Sequence, residues 1–581
     1  MQILLISIDA KFIHSNPAIY DLQAYARAYG GFRDEIGRAE FTINQSRDYI
    51  LGKLYEAQAD IYCFSCYIWN ISLIKALTDS LKKVRPECEI WWGGPEVSFN
   101  AVQLLSENPA LSGIMRGEGE ETFLELCRHY LTAAPEDGAQ GSCDQMPEDG
   151  AQGSGEEAPA LSGIRGITFR KGQEAVENPP RDPIDLSTLP FCYEALDDLQ
   201  LKNRIIYYET SRGCPFGCSY CLSSIDRRVR FRSLPVVYRE LDFFIEHEVA
   251  QVKFVDRTFN CNHEHTMAIW RYLIAHDREI TNFHFEIAVE LLNEEEIELL
   301  STMRPGLVQL EIGVQTTNEA TLKEIHRPAD MEHLRALVAR LHAPRNIHLH
   351  LDLIAGLPFE DLARFRQSFD EVFAMAPDQL QMGFLKVLKG SYMYEHRDEY
   401  DCAYDAQAPF EVLCTKWLSY GDVLELKLVE EMVELYYNSG QFVHSLPYVM
   451  AMYGSAYDFF LQLGTFYRNE GYDYLASSRM QRYEILRSFA KMLPIDKKHL
   501  DECLVTDLYL RENLKKRAAW MCDLKGCKRE LRALEDALQI REDAFCHIEP
   551  FAEHFAVFDY RKRDRLDHNA TLTYYPRTAE R

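Results

Sequence analysis

Six apolar runs recur between residues 204 and 387, at 204–210, 252–256, 284–288, 307–314, 347–354 and 379–387. Strands buried on both faces read as near-continuous apolar runs, and parallel neighbours need a crossover of a dozen residues or more. Each gap between these runs is long enough for one. Between the third and fourth runs, Asn293 followed by Glu296 is a capping-box variant, opening a helix whose apolar residues are Ile297, Leu300 and Met303. Six β/α units predict a partial (β/α)6 barrel over residues 201–395, with its functional residues at the carboxyl ends of the strands.

The chain ahead of this barrel carries a second α/β pattern. Apolar runs at 3–8, 60–69, 89–92 and 111–115 alternate with helical segments, and Asn16 is placed to cap a helix that has Pro17 at its first position. This predicts a Rossmann-like parallel-sheet domain over residues 1–132. Polar and glycine-rich pieces fall at its strand ends, where ligands of open α/β sheets bind. They include Ser15 and Asn16, then Gly93, Gly94, Pro95 and Glu96, then Gly117, Glu118, Gly119 and Glu120. Residues 133–163 contain PEDGAQGS twice and repeat PALSG from 109–113; this acidic, small-residue stretch predicts a disordered low-complexity insertion. A connector follows over 164–200, rich in proline towards its end. Residues 396–581 predict a mainly helical domain, with the helical period clearest at 422–437 and 513–540.

Charge narrows the function classes. Lys and Arg number 63 against 90 Asp and Glu, a net charge of −27. That balance disfavours nucleic acid or anionic lipid as a charge-driven partner. No run is apolar enough for a membrane span, and the N-terminus lacks the basic start of a signal peptide, so a cytoplasmic protein is expected. Sixteen cysteines then read as free thiols plus one metal site rather than a disulfide framework.

The metal site is SRGCPFGCSYC, immediately after the first barrel run. Cys214, Cys218 and Cys221 have the spacing C-x3-C-x2-C. Three thiolates on one tight loop can converge on one inorganic centre, and three cannot saturate a four-iron cluster, so one iron is left open. The alternative is a zinc knuckle with His247 or His263 as fourth ligand. Cys63 and Cys66 also form a C-x2-C pair, but inside an apolar strand, where paired core thiols are expected.

These features resemble the radical S-adenosylmethionine (SAM) superfamily, in the branch that carries a cobalamin domain. FVDRTFN (254–260) resembles that branch's FxDDTF segment, with Arg257 in place of the second Asp. LEIGVQTTN (310–318) resembles its GxQS strand, with Thr316 in place of Ser. LDLIAGLPFED (351–361) resembles its DLIxGLPGE strand, with Phe359 in place of Gly. The resemblance covers roughly residues 1–395; the C-terminal part resembles an uncharacterised domain attached to a subset of these enzymes.

The resemblance implies an enzyme in which Cys214, Cys218 and Cys221 hold a [4Fe-4S] cluster that chelates SAM and cleaves it reductively. It implies SAM-side roles for Phe216 and Tyr220 in the loop, for Glu286 and Glu311 near the amino and hydroxyl groups, and for Gln315 and Thr316 at the ribose. Asp352 and Gly356 belong to the fifth-strand element. Cobalamin is implied in the first domain, surrounded by Ser15, Asn16, Tyr67, Gly93, Gly94, Pro95, Glu96, Gly117, Glu118, Gly119 and Glu120. The usual D-x-H-x-x-G motif is absent; His14 lies in the corresponding region without its spacing, and cobalt binding without a histidine is common in this branch. The implied reaction is methyl transfer from methylcobalamin to an unactivated carbon or phosphorus. The alternatives are a radical SAM cyclase or isomerase, and a non-catalytic cobalamin and Fe–S binding module. A small-molecule or peptide substrate and a low-potential donor such as flavodoxin or ferredoxin are expected. Arg257 and Lys386 are placed at barrel strand ends, and basic RKRDR (561–565) reads as a solvated helix face.

Overall fold

The computed structural model describes residues 1–132, 159–196, 201, 204–474, 476–541 and 543–577. The expected low-complexity insertion, apart from 159–163, lies outside the described residues.

Seven strands build the first sheet: β1 (Ile3–Asp9), β2 (Ile36–Thr42), β3 (Ile61–Ser65), β4 (Glu89–Gly93), β5 (Gly113–Met115), β6 (Ile167–Lys171) and β7 (Glu174–Glu177). Their order is β2-β1-β3-β4-β5-β6-β7. The first five pair in parallel, while β6 and β7 are added antiparallel. Every residue of β1 and β3 is buried, as their apolar runs require. The edge strand β2 buries only Ile36 and Phe41, so its mixed sequence IGRAEFT hides it from a search for apolar runs. The strands β6 and β7 also shorten the expected connector, because residues 167–177 belong to this sheet.

The six expected barrel runs all form strands: β8 (Ile205–Tyr208), β11 (Gln251–Phe254), β12 (Asn282–Ile287), β13 (Val308–Gln315), β14 (His348–Ala355) and β15 (Gln379–Phe384). They lie in chain order in one six-stranded sheet. The pairs β8/β11, β13/β14 and β14/β15 are parallel. Just after β8, the two-residue strands β9 (Ser211–Arg212) and β10 (Arg230–Phe231) pair antiparallel. The helix at Glu294–Ser301 opens with the expected reciprocal cap between Asn293 and Glu296.

By compactness the chain forms two units: Met1–Phe283 with Lys386–Arg397 and Tyr404–Glu411, and His284–Leu385 with Asp398–Ala403 and Val412–Arg581. In the second, helices run from Tyr420–Met432 to Lys528–Leu538 and are followed by an antiparallel sheet of β18 (Cys546–Pro550), β19 (His554–Arg563) and β20 (Ala570–Pro576); the short pair β16 (Ala403–Tyr404) and β17 (Val412–Cys414) precedes them in the chain. The helical expectation for 513–540 holds for Lys528–Leu538 alone as an α-helix. RKRDR is corrected too: its first three residues end β19 and the rest turn towards β20, because HFAVFDY and ATLTYYP carry strand-forming β-branched and aromatic residues. No helix among the described residues is long and apolar enough to cross a membrane.

Candidate active site

The three-cysteine loop leaves β8 through Thr210 and Ser211, and a buried carboxylate fixes that exit. Asp256, just past β11, accepts from the Thr210 backbone N–H at 2.9 Å, the Thr210 hydroxyl at 2.6 Å and the Ser211 hydroxyl at 2.6 Å. Burial pushes the Asp256 carboxyl up to about 6, against the pull of those hydrogen bonds. Two residues on, the Thr258 hydroxyl lies 3.5 Å from Cys214 Sγ. The segment FVDRTFN therefore buttresses the cysteine loop, with Arg257 between these two contacts pointing to solvent.

Within the loop, Gly213 adopts φ 101°, and a Cβ there would sit 2.4 Å from the Arg228 carbonyl. Only glycine allows the returning chain to approach so closely. Cys214 N–H donates to the Asp226 carbonyl at 3.1 Å, Cys221 N–H to the Cys218 carbonyl at 3.1 Å, and Met393 N–H to the Ser219 carbonyl at 2.9 Å. Cys214 and Cys218 are buried and Cys221 is half-buried; none of the three forms a disulfide. Phe216 and Tyr220 are half-buried in the same loop. Of the histidines weighed for zinc, His247 turns Nδ1 to the Phe243 carbonyl at 2.8 Å and stacks on Phe243. His263 opens the helix His263–His276.

The strand ends of the first sheet make a polar, tightly curved surface. Gly94 has φ 114°, and a Cβ there would meet the Cys66 carbonyl oxygen at 2.5 Å. Asn16 occupies the expected N-cap position but makes no cap; its amide donates to Asp9 Oδ1 at 3.2 Å instead. Burial pushes Asp9 up to about 6 and Glu96 up to about 7. Tyr67 stacks on Trp69 with ring centroids 4.4 Å apart, and the Trp69 indole donates to the Ile8 carbonyl. Asn16 Oδ1 and both side-chain polar atoms of Asn100 are buried without a protein hydrogen-bond partner. Buried polar atoms are paired in folded proteins, so these groups suit a ligand with its own donors and acceptors.

Other expected residues here make contacts within the protein or lie at its turns. The Ser15 hydroxyl donates to the Ile205 carbonyl at 3.1 Å and accepts from Tyr207 N–H at 3.0 Å. His14 Nδ1 lies 2.7 Å from the Tyr207 hydroxyl, and burial lowers its pKa. Glu118 is held by Arg230 and Arg212; burial alone would raise its carboxyl, but the two guanidiniums keep it below the usual range. Glu120 pairs with Arg212 at 2.9 Å. Gly93 ends β4, Pro95 opens a short 3-10 turn, and Gly117 and Gly119 flank Glu118 ahead of the helix Glu120–Thr132.

In the second unit, Gln315 ends β13 at φ 69°, and its Oε1 is buried without a protein hydrogen-bond partner. A non-glycine residue held at positive φ marks strain of the kind that collects at functional sites. Thr316 is fully buried and donates its hydroxyl to Glu360 Oε1 at 2.6 Å, so a ribose contact from this position falls to its backbone. Phe359 takes φ 61°, where the family motif has glycine. Glu286 is half-buried on β12. Glu311 lies four residues before Gln315 on β13, with a register shift between Gly313 and Gln315. Its Oε2 meets His284 Nε2 at 3.0 Å, and His350 Nε2 meets Asp352 Oδ1 at 3.0 Å. The sequence reading missed His284 and His350 and the buttressing roles of Asp256 and Thr258. The histidines carried a signal in the polar residues at every second position of an apolar strand.

Comparison with known proteins agrees with this arrangement. Residues 4–127 match the B12 binding domain model, 208–372 the Radical SAM superfamily model, and 398–557 a protein of unknown function, DUF4080. The 2-(S-pantetheinyl)-carbapenam-3-carboxylate methyltransferase of Streptantibioticus cattleyicolor is 26% identical over 324 residues, 53% of this chain and 44% of that protein. The anaerobic magnesium-protoporphyrin IX monomethyl ester cyclase of Rubrivivax gelatinosus is 23% identical over 368 residues, 61% of each chain. The chain thus covers less than two thirds of either relative. The cobalamin-dependent SAM radical enzyme OxsB, solved with aqua-cobalamin bound, superposes with a TM-score of 0.56 at 15% identity, covering 93% of this chain and 75% of that one. That likeness shows the fold. The matched domains imply a [4Fe-4S] cluster, SAM and cobalamin. The three cysteines outside any disulfide on one glycine-hinged loop, and the orphaned Asn16, Asn100 and Gln315 atoms, fit those groups.

Proposed function

The chain carries a radical SAM domain behind a B12-binding domain, and from that premise we propose that it is a cobalamin-dependent radical SAM methyltransferase acting on an unactivated carbon or phosphorus centre. When bound, the cluster and cobalamin supply the electron that splits SAM and the methyl group that is transferred. Cys214, Cys218 and Cys221 hold the cluster as thiolates. Asp256 keeps Thr210 and Ser211, and with them the entry to that loop, in one geometry. Phe216, Tyr220, Glu286, Gln315 and the Thr316 backbone are offered to SAM. Asn16, Tyr67, Glu96 and the Gly93–Gly94 turn border the corrin, where Asn100 adds donor and acceptor groups for its amide rim. With its carboxyl near 7, Glu96 can donate as well as accept there.

The observation that carries this reading is the cysteine loop and its buried Asp256 brace. A second reading, cyclisation without methyl transfer, is favoured by the similarity to the protoporphyrin ester cyclase. The substrate in either case is a small molecule or a peptide. A low-potential donor such as flavodoxin or ferredoxin and a cytoplasmic location belong to this reading. The test is a single turnover of reduced, cluster-loaded protein with SAM. Methyl transfer yields 5′-deoxyadenosine together with S-adenosylhomocysteine; cyclisation yields 5′-deoxyadenosine alone. No 5′-deoxyadenosine with any reductant leaves only a binding module.

A further inference from the structure

Four side chains from three strands of the second sheet come together within the second unit. Glu311 on β13 stands directly opposite His350 on β14, and Asp352 follows two residues later on the same face of β14. One ligand atom from each of Glu311, His350 and Asp352 lies within 4.8 Å of the others. His284 on β12 joins through its 3.0 Å contact with Glu311 Oε2. The side chains are 7% to 18% exposed, so these carboxylates and imidazoles are largely withdrawn from water.

We propose that Glu311, His350 and Asp352, with His284 as a fourth donor, bind one divalent first-row transition-metal cation. The donor set is two imidazoles and two carboxylates with no thiol. Such a set suits manganese, iron or zinc in the divalent state; an all-oxygen cage would suit magnesium or calcium, and thiolates would suit softer ions. Metal–ligand bonds of about 2.1 Å put neighbouring donors about 3.0–3.5 Å apart, matching the contacts of His350 with Asp352 and of His284 with Glu311. The donors stand on paired strands, which fix them better than loops would.

Glu311 is also one of the SAM-side residues that the resemblance implies, so the test of the metal site does not use turnover. Desalted, cluster-loaded, unreduced full-length protein is first analysed for total metals. It is then titrated with Mn²⁺ while the six-line electron paramagnetic resonance signal of the free aqueous ion is followed. The expected result is one metal equivalent beyond the cluster iron and the cobalt of any bound cobalamin, either resident or taken up as Mn²⁺. Glu311→Gln, His350→Asn and Asp352→Asn should each weaken Mn²⁺ binding at least about tenfold while cluster iron is retained. A wild-type protein with no resident extra metal and an undiminished free Mn²⁺ signal overturns the proposal, whatever the variants do. So does stoichiometric binding that all three variants preserve, which marks an adventitious ion only.

Discussion

Two sheets built around parallel strands present the carboxyl ends of those strands, yet they carry different residues there. The seven-stranded sheet ends in glycines, amides and buried carboxyls: Gly94 pressed on Cys66, Asn16 and Asn100 with orphaned atoms, Asp9 near 6 and Glu96 near 7. The six-stranded sheet sends its first strand into a loop of three thiols and braces that loop with Asp256. The architecture is shared; the chemistry is set by the residues just past each strand. Soft thiolates select an iron–sulfur centre, whereas a polar rim suits a large amide-bearing ligand.

Breaking one sheet's function should spare the other's. The largest effect is expected from Cys218→Ala, which should abolish cluster iron and SAM cleavage while cobalamin retention, followed by its visible absorbance, stays near wild type. Asp256→Ala leaves the Thr210 and Ser211 donors unsatisfied and should cost about 4 kcal/mol of unfolding free energy in denaturant titrations, with faster loss of cluster iron to a chelator. Gly94→Ala imposes positive φ and a Cβ clash on the first sheet. It should cost about 3 kcal/mol and lower cobalamin content, with cluster iron unchanged.

Glu360 gives the comparison a pH dependence. It is fully buried under Thr316, and burial raises its carboxyl from 4.5 to about 7. A folded-state pKa above the unfolded one favours the protonated form, so stability falls as pH rises from 4.5 to 7. Glu360→Gln should flatten that slope and leave the protein about 2–3 kcal/mol more stable at pH 8 by denaturant titration. The smallest effect is expected for Arg230→Ala, which removes half-buried ion pairs to Glu118 and Asp226. Thermal melts should register a loss of about 1 kcal/mol.

Strands with one character throughout were legible. The fully buried β1 and β3 and all six strands of the second sheet announce themselves as apolar runs, and Asn293 with Glu296 announces a helix start. The half-polar edge strand β2 does not, because an edge needs only one buried face. Cysteine spacing singled out the loop proposed to hold the cluster, since few other arrangements use three thiols so close together. Asn16 shows the limit: its position at a helix start is right, but tertiary contact with Asp9 claims the side chain. Asp256 and the His284, Glu311, His350 and Asp352 cluster are assembled by strand register across distant segments, which spacing within any one segment cannot reveal.

The account's central claim is that the loop at residues 214–221 holds a four-iron cluster through three thiolates. Iron and acid-labile sulfide should be measured in protein isolated without oxygen, for wild type and for the Cys214→Ala/Cys218→Ala/Cys221→Ala variant side by side. The account predicts about four of each per chain in the wild type and neither in the variant. Zinc in place of iron, or iron and sulfide that survive the triple substitution, would contradict it.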